Sequence, residues 1–262
     1  MIYAQMMEEL SPIYITRQLH RLGLFAFTLD TVVTLFGLDR PRAYRLVARM
    51  KEQDLITNVE KGKYLLLGFE AERVLSNLFF ISTQLVEPGY ISFWSALHYY
   101  GFTEQVPRTT FVATTKRKSP VTFDSHRFRY VCLQPHKFFG YRRESVGDLP
   151  VLLADEAKAL LDSLDLPRYA GGLVEVAKAL YNALGELNLE LLVDYANRLG
   201  NKSLNSRLAY LLDIFDHPVE GLILSDSHIL LDPSRPPGAI WNSRWRVNVN
   251  LTPDQLLAWR ES

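Results

Sequence analysis

Residues 28–67 read TLDTVVTLFGLDRPRAYRLVARMKEQDLITNVEKGKYLLL, and their pattern sets the architecture of the first part of the chain. Thr28 can cap a helix over Leu29–Phe36, in which Leu29, Val32, Val33 and Phe36 recur at helical spacing. Gly37-Leu38-Asp39 makes a short turn, and Asp39 is placed to cap a further helix that starts with Arg40-Pro41 and runs to about Gln53. Ile56–Val59 and Tyr64–Leu67 read as two short strands, joined by Glu60-Lys61-Gly62-Lys63 as a tight hairpin turn. Upstream, Ser11-Pro12 is a good helix start, because serine caps and proline fits the first turn; that helix runs through Arg21 and ends near Gly23. Three helices followed by a two-stranded ribbon is the winged-helix order, expected here as a winged helix-turn-helix domain over residues 1–86.

The third helix carries the chemistry. Ala43, Leu46, Val47 and Met50 recur on one face, the spacing of a buried stripe. Arg42, Arg45 and Arg49 share another face, with Arg40 and Lys51 nearby and no carboxylate between Asp39 and Glu52. A solvated helix face ordinarily mixes signs, since like charges at this spacing repel by about 0.2–0.5 kcal/mol. A face of one sign is tolerated where counterion release at phosphates offsets the repulsion. Arginine also reads guanine O6 and N7 with two hydrogen bonds at once, for about 1–3 kcal/mol of discrimination. Tyr44 lies beside this face and suits a sugar or a thymine methyl; Lys61 and Lys63 flank Gly62 at the wing tip, within reach of a groove or phosphate. The expected contacts to double-stranded DNA are therefore Arg40, Arg42, Tyr44, Arg45, Arg49, Lys51, Lys61 and Lys63. The competing reading is a solvated basic helix in a protein-interaction module, and the surrounding helix, turn and basic hairpin favour DNA.

Charge over the whole chain offers no such support: 29 Lys and Arg balance 29 Asp and Glu over 262 residues. A nucleic-acid reading thus rests on local distribution alone. With 48% hydrophobic residues, the chain has material for a real core, and its length suggests two domains. The one cysteine, Cys132, rules out an intramolecular disulfide and suits a cytoplasmic location; inside the strand-like run Phe128–Leu133 it reads as a small core residue. Met1–Leu10 contains Glu8 and Glu9 and reads as no signal peptide. Charges or prolines interrupt every apolar run, so no membrane span and no membrane partner are expected.

Glu70–Val86 reads as one more helix, and Glu87-Pro88-Gly89 marks a domain boundary. Residues 87–262 are expected to form a larger mixed α+β domain. Ser92–Tyr100 is helical, and strand-like runs cover Thr110–Thr115, Phe128–Leu133 and Leu149–Ala154. Helices follow at about Asp155–Asp165, Leu173–Leu184, Leu189–Leu199 and Ser203–Phe215, and the apolar stripe of the last reads as core. Short strands at Ile229–Leu231 and Trp245–Asn250 precede a final helix capped by Thr252. Strands and helices do not alternate as a parallel nucleotide-binding sheet requires.

A second basic region holds Lys116, Arg117, Lys118, Arg127, Arg129, Arg142 and Arg143, interleaved with Phe128, Tyr130 and Tyr141. It reads either as a second nucleic-acid surface or as an amphipathic sheet with lysine-rich edges. Asp155-Glu156-Ala157-Lys158 superficially matches the acidic-x-Lys element of metal-dependent nucleases, but at a helix start capping accounts for it better. The six histidines show no ligand spacing, and there is no Walker-type loop, GxGxxG or GxSxG. No catalytic residue, metal or cofactor is expected, and the chain reads as a non-enzyme.

The run from Phe27 to Met50 resembles the N-terminal winged helix of the AbiEi antitoxins of the abortive-infection AbiE toxin–antitoxin systems, also described as predicted regulators of viral defence. Tyr90–Gly101, Leu153–Asp162, Asn205–Leu212, Leu231–Pro233 and Trp245–Asn250 are similar, in order, to blocks of that family's C-terminal domain. The resemblance implies a two-domain antitoxin of the phage-defence kind. Its winged helix would bind inverted repeats in its own promoter as a transcriptional repressor. Its C-terminal domain would oppose a nucleotidyltransferase-like toxin, without necessarily forming a stable complex. The resemblance carries over no individual antitoxin residue.

Overall fold

The computed structural model describes residues 11–260, so the reading of Met1–Leu10 lies outside the described residues. The fold is mixed α+β. Two compact units make it up. The first holds the chain up to Glu87 together with Val121–Arg127 and Ser145–Val151; the second holds Pro88–Pro120, Phe128–Glu144 and the chain from Leu152. The later part of the chain thus lends two short segments to the first unit.

In the first unit the order is α1 (Pro12–Arg21), β1 (Ala26–Thr28), α2 (Leu29–Phe36), α3 (Arg40–Glu52), β2 (Ile56–Glu60) and β3 (Lys63–Leu66), then α4 (Ala71–Ser76) and α5 (Leu78–Gln84). Each start has a local cause. Ser11 Oγ accepts the Tyr14 N–H at 3.1 Å. Thr28 and Thr31 cap α2 reciprocally, each hydroxyl accepting the other's backbone N–H at 3.2 Å. Gly37 ends α2 at φ 60, the left-handed conformation that glycine adopts without strain. One strand, β1, was not visible in the sequence pattern, since three residues are too few to show an alternation. It pairs antiparallel with β3, Phe27 opposite Tyr64, giving a three-stranded sheet in the order β1-β3-β2. The core between helices and sheet is built on Ile15, Leu19, Phe27, Val32, Leu46 and Met50.

The helix expected over Glu70–Val86 is broken in two. Asn77 stands at the break with φ −96 and ψ 84. Its side chain accepts the Phe80 N–H at 2.9 Å, starting α5, and donates to the Val146 carbonyl at 2.5 Å. Arg73 donates to the Asp148 carbonyl at 2.7 Å. These two bonds help tie the 145–151 segment into the first unit. Asparagine competes for backbone partners in this way, which is why it interrupts rather than continues the helix.

After Glu87 the chain continues with β4 (Gly89–Ile91), α6 (Phe93–Tyr99), β5 (Thr109–Thr114), β6 (Val121–Phe123), β7 (His126–Cys132), β8 (Tyr141–Val146) and β9 (Leu149–Ala154), of which β6 belongs to the first unit. Helices α7 (Glu156–Asp165), α8 (Leu173–Ala183), α9 (Leu189–Arg198) and α10 (Lys202–Ile214) follow. The tail adds β10 (Ile229–Leu230), β11 (Ile240–Asn242), β12 (Val247–Val249) and α11 (Pro253–Leu257). Six strands run in the order β6-β7-β5-β4-β9-β8. β4 lies antiparallel to β5 and parallel to β9, with Ile91 opposite Leu153. Four of the strands, β4, β6, β8 and β11, escape sequence reading: β4 is short and wholly buried, while β8 (YRRESV) carries no buried residue and hence no apolar alternation.

Helix α7 is the hub. Its residues Ala157–Leu164 are all buried, and α6, α8, α9 and α10 pack around it. Phe93 enters α6 at φ 55, a conformation that costs a bulky residue roughly 1–3 kcal/mol. It is held there by complete burial and by edge contacts to Phe111 and Tyr169 at 6.5 and 5.5 Å. Cys132 is a correction. It is exposed at the end of β7, where its thiol donates to the Thr115 carbonyl at 3.6 Å. An apolar-looking run does not identify which face of a strand is covered. Among the described residues no helix is long and apolar enough to cross a membrane.

Candidate nucleic-acid interface

α3 is anchored by the face expected to be buried: Ala43, Leu46, Val47 and Met50 are all inside the core. Because α-helical residues three to four apart share a face, fixing that stripe turns Arg42, Arg45 and Arg49 outward together. All three are exposed, as are Arg40 and Lys51, and Tyr44 is 61% exposed beside them. Arg42, Arg45 and Arg49 line an open groove of about 560 Å³ with Leu38, Leu46, Ala48 and Glu52.

Asp39 starts the helix, accepting the Arg42 N–H at 2.7 Å. Its other oxygen lies 3.5 Å from the Arg42 Nε, and Asp30 pairs with Arg40 at 2.6 Å. Both pairs are largely exposed, so each contributes at most about 1 kcal/mol and is screened by salt. Arg45 and Arg49 have no carboxylate partner among the described residues. Arg40 and Arg42 also sit at the positive end of the helix macrodipole, where cations are disfavoured by about 0.3–1 kcal/mol. The first turn of α3 therefore carries cations that folding alone does not reward.

The hairpin between β2 and β3 turns at Gly62, φ 75, with Lys61 exposed beside it. Lys63 departs from the expectation of a free wing-tip cation. Its ammonium donates to the Leu85 carbonyl at 3.0 Å, and the residue is half-buried. Successive strand residues point to opposite faces, which sends this lysine inward.

The second basic region does not gather into one surface. Arg129 lies on β7 and Arg142 and Arg143 on β8, with β5, β4 and β9 between them, a separation of roughly 19 Å at the usual strand spacing. Arg129 sits 4.9 Å from the Tyr169 ring and Lys118 5.3 Å from the Tyr130 ring. Arg142 is held by Glu144 at 2.5 Å and by both oxygens of Glu156 at 3.0 Å, which keeps its guanidinium protonated well beyond the ordinary range. Lys116, Arg117 and Arg143 are exposed, and Arg127 belongs with the first unit.

The residues of the nuclease-like element are engaged in holding α7. Asp155 caps it, accepting the Lys158 N–H at 2.8 Å, and accepts the Tyr195 hydroxyl at 3.1 Å. Burial raises the Asp155 carboxyl above its ordinary value. Burial also works to raise Glu156, but the Arg142 guanidinium outweighs it and the carboxyl ends below its ordinary value. Lys158 is wholly buried and paired with Asp162, whose second oxygen accepts from Ser92 at 2.8 Å and Tyr90 at 3.1 Å. Lys158 and Asp162 stand four apart on one helix, a spacing visible in the sequence; only tertiary packing reveals that the pair is inside. Among the described residues no cluster of three or more His, Cys, Asp or Glu is placed to hold a metal ion.

No family model matches the chain, and no curated protein matches it. It is similar in structure to the RV2827C protein from Mycobacterium tuberculosis, known from a crystal structure, with a TM-score of 0.55 at 12% sequence identity. The likeness covers 95% of this chain and 94% of that one, and at such identity it is one of fold.

Proposed function

We propose that the chain is a sequence-specific DNA-binding transcriptional repressor whose first unit, a winged helix, lays α3 in the major groove. The observation that carries this reading is the exposed face of Arg42, Arg45 and Arg49, of which Arg45 and Arg49 have no carboxylate partner among the described residues. An arginine face in which two of three members lack a carboxylate partner among the described residues suits a polyanion, and an open groove runs along it. Lys61 adds a cation at the hairpin tip.

Promoter binding is read by gel-shift titration of the full chain against its own upstream region, which is expected to contain inverted repeats. Replacing Arg42, Arg45 and Arg49 together by alanine abolishes specific retardation on this reading, and wild-type affinity in the triple variant refutes it. The resemblance of the later blocks to antitoxins extends the proposal: the second unit opposes a cytoplasmic, nucleotidyltransferase-like toxin encoded alongside. Co-expression with the adjacent gene tests this extension, and toxicity undiminished by the full chain removes it.

A further inference from the structure

The exposed side of α3 is not uniform. At 3.6 residues per turn, each residue advances about 100° around the helix axis. The buried stripe Ala43, Leu46, Val47 and Met50 fixes the direction of the core, and the opposite direction marks the ridge that stands farthest from it. Pro41, Arg45, Ala48 and Glu52 fall within about 30° of that ridge. All four are exposed. The other cations lie about 70–110° away from it, Arg42 and Arg49 on one flank and Arg40 and Lys51, with Tyr44, on the other. Arg42 and Arg49 line the open groove beside the helix, whereas Arg40, Tyr44 and Lys51 stand outside it.

Arg45 is therefore the long cationic side chain of the ridge. Pro41, four residues before it, and Ala48, three after, are its neighbours along the ridge, and both are short. A helix with its side chains is about 10–12 Å across and the major groove about 12 Å wide. Residues on the ridge thus meet base edges, while those on the flanks meet the two walls of phosphates. Short neighbours let the backbone come close enough to seat the Arg45 guanidinium on a base. Arg45 has no carboxylate partner among the described residues. Glu52, two turns further along the ridge, places a carboxylate where the strip ends, and a carboxylate repels phosphate.

We infer that Arg45 is the specificity-determining residue of α3, taking a guanine through O6 and N7, and that Arg42 and Arg49 on one side and Lys51 on the other hold phosphates. The inference rests on the DNA reading and adds a division of labour to it. Three arginines that share one charge split into one reader and two clamps. Arg40 is left out of the clamp because Asp30 already pairs with it at 2.6 Å.

The test is selection of duplexes from a random-sequence pool by the full chain, followed by salt titrations on the selected duplex and on a scrambled one. Arg45→Ala should leave one guanine position of the consensus degenerate and weaken binding of the selected duplex about tenfold, with a much smaller loss on the scrambled one. Arg45→Gln should change that position from guanine to adenine, whose N6 and N7 glutamine pairs with; a merely structural role does not produce such a change. Arg42→Gln/Arg49→Gln should select the wild-type consensus and reduce the slope of log affinity against log salt by about 2, and Lys51→Gln by about 1. Every position changed is exposed, and melting temperatures equal to that of the wild type show that the variants fold. A consensus unaltered by both Arg45 substitutions overturns the inference, as does a guanine lost on replacing Arg42 and Arg49 instead. In those two outcomes the wild type still selects a sequence and the DNA reading stands. A wild type that selects no sequence overturns both.

Discussion

The carboxylate of Asp39 accepts the backbone N–H of Arg42 at 2.7 Å and also approaches its guanidinium, so one acid both starts α3 and shields Arg42. The two roles separate by mutation. Asp39→Asn keeps a capping oxygen and loses the charge; Asp39→Ala loses both. Thermal denaturation should show Asp39→Ala destabilised by about 1 kcal/mol and Asp39→Asn nearly unchanged. DNA affinity should rise in Asp39→Asn, with the gain largest at low salt. An affinity unchanged at every salt concentration removes Arg42 from the footprint.

The hairpin lysines Lys61 and Lys63 are expected to behave differently from one another. Lys61→Gln should reduce the slope of log affinity against log salt by about 1, the signature of one phosphate contact, and leave stability alone. Lys63→Gln should lower stability instead, because it deletes the bond to the Leu85 carbonyl, and leave the slope where it was. Salt titrations of binding, paired with urea denaturation, distinguish the two.

Single arginines of α3 make a graded series. Arg45→Ala or Arg49→Ala should each cost about 1–3 kcal/mol of promoter binding where the residue reads a base, with discrimination relaxed at one operator position. Competition with scrambled duplex measures it: a loss shared equally by specific and scrambled DNA marks a phosphate contact.

The buried pair in α7 predicts a pH response of definite sign. Burial pushes the Asp162 carboxyl above its ordinary value, while Lys158, Ser92 and Tyr90 pull it back. Lys158→Met removes the strongest opposing charge and drives that carboxyl further up. A group with a raised folded-state pKa binds its proton more tightly in the native state, so its stability contribution is present below about pH 4 and lost as pH rises through the folded value. The variant should therefore be destabilised at neutral pH by about 3–5 kcal/mol, the usual cost of stranding one buried charge, and recover in part on acidification. Unfolding midpoints between mildly acidic and neutral pH check it; a variant equally unstable throughout contradicts the assignment.

Gly140→Ala probes the packing around that pair. Gly140 sits at φ 69, and an added Cβ would lie 2.8 Å from the Tyr195 ring and 3.0 Å from the Lys158 Cβ. Strain at positive φ adds about 1–2 kcal/mol to the overlap, so the substitution should be markedly destabilising. Gly37→Ala shares a positive φ, 60, but meets nothing within 4 Å, and should cost only the conformational part. Comparing the two melting temperatures isolates the steric share.

Local chemistry along the chain was enough to place α1, α2 and α3, their caps Ser11, Thr28 and Asp39, and the outward arginine face. Each depends on neighbours within four residues, and the buried stripe Ala43, Leu46, Val47 and Met50 leaves Arg45 and Arg49 nowhere to go but outward. Tertiary structure decided what depends on partners distant in sequence. β1 exists because β3 is there to pair with it, and Asn77 breaks a helix because Val146 offers a carbonyl. Lys63 turns inward to Leu85, and the basic residues after Lys116 scatter over separate strands because strand order is not written in strand composition. Lys158 and Asp162 show most plainly why: an i, i+4 charge pair looks like a solvated helix face until the packing of four helices around α7 takes its water away.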